Sequence, residues 1–146
     1  MLWIGAVGLT VSAAVQLAFA GVVLTALVVW GKPPPVLSVV LSAEQIQRLD
    51  PALLGATRTL AIYFQSTLAS LALLKLAVIW GALVRQEVWA LWALGAAILA
   101  AQTGAFFADA AIGHRSLPLN ILLAALQTGM WALAACGIYL PGKPSL

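Results

Sequence analysis

The sequence predicts an all-α polytopic membrane protein, an antiparallel bundle of four transmembrane helices with a short cap segment between the first and second, forming one domain over residues 1–146. Three observations carry this. Of the 146 residues, 64% are hydrophobic and only 8% are charged, where a soluble domain carries about 25% charged residues. Mean hydropathy is +1.08, so too few polar side chains exist to coat a water-facing surface and lipid must surround most of the chain. Four apolar runs, about 3–30, 57–84, 88–112 and 117–140, each exceed the ~20 residues that cross a ~30 Å hydrocarbon core as a helix. None shows the period-2 alternation of a barrel strand, which leaves helices as the spanning structure.

The first run carries Ala18-Phe19-Ala20 before Gly21, a small-residue pattern like a signal-peptide cleavage site. No Lys or Arg precedes it and the apolar run continues to Trp30, so it is expected to stay as an anchor. Gly5 and Gly8 lie inside this helix and read as a packing surface for a neighbouring helix, not as a phosphate loop.

Lys32 and the prolines at 33–35 end the first helix and open the cap segment, 31–56. Ser42-Ala43-Glu44-Gln45 has the spacing of a capping box. Asp50-Pro51 reads as an N-cap with a first-turn proline, which starts the second membrane helix ahead of its apolar run. The later turns are tight: Arg85-Gln86-Glu87 between the second and third helices, and Gly113-His114-Arg115-Ser116 between the third and fourth, with Pro118 in the first turn of the last helix.

Lys32, Arg48, Arg58 and Arg115 fall on the membrane face that carries the cap, whereas Arg85 and Lys143 fall on the other. The positive-inside rule therefore places the cap on the cytoplasmic side. Trp3, Trp80, Trp89, Trp92 and Tyr139 form a denser interfacial belt at the opposite face than Trp30 forms near the cap.

In so apolar a chain the polar residues at membrane depth carry the functional information. Gln102 and Asp109 are seven apart on the third helix and Asn120 and Gln127 seven apart on the fourth, so each pair shares a helical face. A turn near 114–115 sets Gln102 level with Gln127 and Asp109 level with Asn120. On the same depth scale Gln16 and Lys75 fall near the Gln102 and Gln127 layer, while Tyr63, Gln65 and Ser66 fall near Asp109, with Arg58, His114 and Arg115 at the rim. Such amides either hold helices together or line a ligand site. A lysine near the bilayer centre costs at least ~2.5 kcal/mol, which makes Lys75 a functional candidate as well as a snorkelling one. Asp109 reads either as a solvated or ion-paired rim carboxylate or as a proton acceptor; His114, about one turn away, reads as a surface residue or a proton relay.

Other chemistries are excluded by residue type. One histidine and one cysteine, Cys136, supply no metal cluster, haem pair or disulfide exchange centre, and no cofactor is expected. Seven scattered Lys and Arg residues with a net charge of +3 make no basic patch for nucleic acid.

The run Arg85-Gln86-Glu87-Val88-Trp89-Ala90-Leu91-Trp92-Ala93-Leu94 resembles the charged turn and Trp-Ala-x-Trp-Ala-Leu pattern of small bacterial four-helix membrane proteins of the DoxX-like and related types. That likeness covers ten residues as a motif and most of the chain as hydropathy. It implies a bacterial inner-membrane protein associated with quinone-linked redox complexes, and no residue role carries over. A looser likeness joins Arg58 to Gln65 with membrane-associated glutathione transferases.

Two functions follow as expectations. In the first, a lipid-like or other small hydrophobic ligand enters beneath the cap and meets Tyr63, Gln65, Asp109 and Asn120, then Gln102, Gln127, Gln16 and Lys75, with Asp109, Lys75 and His114 as candidate catalytic groups should turnover occur. In the second, the protein is a non-catalytic accessory subunit or homo-oligomer and the same polar groups fasten its helices. Ion transport, with one deep cation and one shallower acid, ranks below both.

Overall fold

The computed structural model describes residues 1–111, 113 and 117–140. Six α-helices run in order: α1 Leu2–Val28, α2 Pro35–Val40, α3 Ala43–Gln47, α4 Pro51–Val78, α5 Val88–Ala111 and α6 Leu117–Tyr139. A π-helical turn, Ile79–Leu83, continues α4. No strand occurs among the described residues. Among the described residues four helices are long and apolar enough to cross a membrane: Leu2–Val28, Pro51–Leu83, Val88–Ala110 and Leu117–Tyr139. The chain is an all-α integral membrane protein.

Two compact units divide it: residues 1–14 with 74–146, and residues 15–73. The first unit contains a portion of every long helix, and there α6 packs antiparallel to both α1 and α5. Along α1, Leu2 meets Gly137, Gly5 meets Ala134, Gly8 meets Met130 and Ser12 meets Gln127. Each step of three or four residues up α1 is matched by a step down α6, the signature of one helical face on another. Gly5 and Gly137 set the spacing, because a Cβ on either would come closer than 3.0 Å to backbone of the opposing helix. Gly8 is less constrained, since its near neighbour is the flexible Met130 side chain.

The core of this unit combines Leu2, Ala6 and Leu9 of α1 with Ile79, Ala82 and Leu83 of the π-helical turn, Ala90, Leu91, Leu94 and Ile98 of α5, and Ala134 of α6. Trp131 lies against Gly95 and donates its indole N–H to the Leu91 carbonyl at 2.8 Å, so a backbone oxygen of α5 gains a second donor in an apolar surrounding. Trp3, Ile4, Val7, Val11, Leu99, Leu119, Leu122 and Leu126 point outward. So large an apolar exterior is a lipid-facing surface.

In the second unit, α1 ends where Gly31 takes φ +63°, which turns the chain so that Lys32 N–H reaches back to the Ala26 carbonyl at 3.0 Å. Arg58 donates to the Val28 carbonyl at 3.4 Å, placing a cation at the negative end of α1. The Lys32 ammonium stands 5.7 Å from the centre of the Trp30 ring. The capping box at the head of α3 is formed: Ser42 Oγ accepts from Gln45 N–H at 3.3 Å and Gln45 Oε1 accepts from Ser42 N–H at 2.8 Å. Asp50 Oδ1 accepts from Ala52 N–H at 2.7 Å with Pro51 in the first helical position, so α4 does begin ahead of its apolar run. The cap segment is thus two short helices and their turns.

Four hydroxyls within the spans are bonded to carbonyls of their own helices. Thr10 donates to Ala6 O at 2.8 Å, Thr25 to Gly21 O at 2.9 Å, Thr59 to Gly55 O at 3.0 Å and Ser70 to Ser66 O at 2.9 Å. None of these groups is left unsatisfied in lipid.

Candidate functional site

The deep polar layer forms inside the four-helix unit. Gln102 Nε2 donates to Gln127 Oε1 at 3.1 Å, joining α5 to α6, and Gln127 Nε2 donates to Ser12 Oγ at 3.2 Å, joining α6 to α1. One side chain therefore ties three helices. Antiparallel register brings Gln102 level with Gln127, and the Gly5–Gly8–Ser12 face of α1 brings the hydroxyl to Gln127.

Lys75, half-buried, lines a space beside these groups together with Leu9, Ser12, Ile79 and Gln127. The space measures about 10 Å³, which is room for one water and far below the ~300 Å³ of a small-molecule pocket.

Asp109 is 2% exposed. Of the readings open for Asp109, burial removes the solvated rim carboxylate and leaves the ion pair and the proton acceptor. Asn120 is half-buried at the start of α6. His114 and Arg115 lie outside the described residues.

In the second unit Gln65 is 9% exposed, and its Oε1 accepts no hydrogen bond among the described residues. Tyr63, two residues earlier, is 70% exposed and points the opposite way, as a separation of about 200° around a helix requires. Ser66 is exposed and Gln16 is half-buried.

Two features escape a reading of the sequence. Ser12 belongs to the deep layer, and its position four residues after Gly8 and seven after Gly5 is the signal that could have found it. The π-helical turn at Ile79–Leu83 has no periodic signature; only Gly81 inside it marks relaxed geometry. Among the described residues no group of three or more His, Cys, Asp or Glu side chains comes together to hold a metal ion. Comparison with protein-family models, curated proteins and solved structures returns no match.

Proposed function

We propose that this integral membrane protein is a non-catalytic interaction protein of the bacterial inner membrane, an accessory subunit or a homo-oligomer of a membrane complex. One observation carries the reading: Gln102 and Gln127 are spent on each other and on Ser12, beside a space of about 10 Å³. Amides used this way fasten helices. The resemblance of residues 85–94 to DoxX-like proteins implies the same kind of role, in company with a larger complex.

Extraction from native membranes into mild detergent followed by native mass spectrometry tests it. A second polypeptide or a fixed multimer is the expected mass; a lone monomer at every detergent concentration overturns the reading.

The second reading is a lipid-like ligand bound by polar side chains of the spans, with turnover by Asp109, Lys75 or His114, and the observation on its side is Gln65. A buried amide oxygen without a donor suits a hydroxyl- or amine-bearing ligand. The same spectra then show a retained small molecule that leaves on Asp109→Asn or Lys75→Met, and equal retention in both variants sinks this reading.

A further inference from the structure

A second recess in the four-helix unit lies outside the polar seam. It is a groove of about 310 Å³ on the outer surface, lined by Ala77, Val78, Gly81, Ala82, Glu87 and Trp89. Gly81 and Ala82 of the π-helical turn line it, and Gly81 leaves open space where a side chain would stand: beyond its chain neighbours and its own helix backbone, no atom lies within 4 Å of the place a Cβ would take. Glu87 sits in the turn between the spans Pro51–Leu83 and Val88–Ala110, at the boundary of hydrocarbon and water. The groove therefore begins at headgroup level and continues down an apolar wall.

Its polar end has a definite chemistry. The indole N–H of Trp89 donates to the Glu87 carboxylate and fixes it at the groove. A carboxylate accepts about four hydrogen bonds, so capacity remains for a multivalent donor. Trp89 is exposed, which leaves an aromatic face for a cation. Arg85, exposed and two residues earlier in the same turn, adds a cation for a phosphate.

We propose that this groove binds an ethanolamine phospholipid, with the headgroup ammonium on Glu87, the phosphate towards Arg85, and the upper acyl chain along Ala77, Val78, Gly81 and Ala82. Charge complementarity selects this occupant: an anionic headgroup without an ammonium meets the Glu87 carboxylate unfavourably, whereas a zwitterion matches both charges of the turn. The inference is independent of whether the protein has a protein partner.

Native mass spectrometry of the purified protein with phosphatidylethanolamine and phosphatidylglycerol of identical acyl chains tests it. The expected result is one ethanolamine lipid retained about tenfold over the glycerol lipid, as one charge-assisted contact gives. Glu87→Gln keeps an oxygen for the Trp89 indole, and so the local fold, but removes the charge; the preference should fall to near unity. Gly81→Leu should displace both lipids by filling the groove. Equal retention of the two lipids by the wild type, a preference unchanged in Glu87→Gln, or a preference that survives Gly81→Leu in a protein of unchanged melting temperature overturns the proposal.

Discussion

Gln127 of α6 reaches across to α1 and donates to the hydroxyl of Ser12 at 3.2 Å. The two residues are joined although 115 positions separate them, and with Gln102 they make one hydrogen-bonded chain through three helices. In lipid such bonds contribute about 0.6 kcal/mol on average. Gln127→Leu, which removes two of them, is expected to destabilise by about 1–2 kcal/mol and Ser12→Ala by less. A double-mutant cycle on detergent unfolding should give a coupling of about 0.6 kcal/mol; strictly additive effects would show that the bond contributes nothing.

Glycine substitutions should separate contact from composition. Gly5→Ala and Gly137→Ala each push a methyl into backbone of the opposing helix, which cannot yield as a side chain does, and a loss of about 1–3 kcal/mol is expected. Gly21 has open space around it, so Gly21→Ala should be neutral or stabilising by up to about 1 kcal/mol through helix propensity. Thermal melts of the three variants in one detergent check the order; a Gly21 variant as damaged as the Gly5 variant contradicts the packing described.

The four spans are legible in the sequence because hydropathy over ~20 residues is set by the bilayer alone. The capping box at Ser42 and the Asp50-Pro51 start are legible because their chemistry is local. Gln102 with Gln127 follows from turn position and antiparallel register. Asp109 and Asn120 obey the same arithmetic, one seven residues after Gln102 and the other seven before Gln127. Burial of Gln65 and Asp109 depends on rotation, which a nearly uniform Ala and Leu surface does not encode.

Gln86 takes φ +63° in the turn before α5. For an L-residue other than glycine this left-handed conformation costs about 1 kcal/mol. Gln86→Gly is expected to recover a similar amount, seen as a higher melting temperature with unchanged α5; a lower one would mean that the Gln86 side chain, not its backbone, holds the turn.

Ser42→Ala removes one half of the capping box and should loosen α3 by about 1 kcal/mol. The change is local, so amide exchange at Gln45 and its neighbours should rise while exchange in α5 and α6 stays as before. Uniform acceleration across all helices would contradict that locality.

The division of the chain into a continuous stretch, 15–73, and a unit built from both ends has a consequence for its birth on the ribosome. Residues 15–73 are complete as soon as they are made, but the glycine face of α1 waits for α6. At roughly 5–20 residues per second, the interval between Ser12 and Gln127 is on the order of ten seconds. Throughout it Gly5, Gly8 and Ser12 lack the α6 residues they pack on, so this face closes only after α6 has been made.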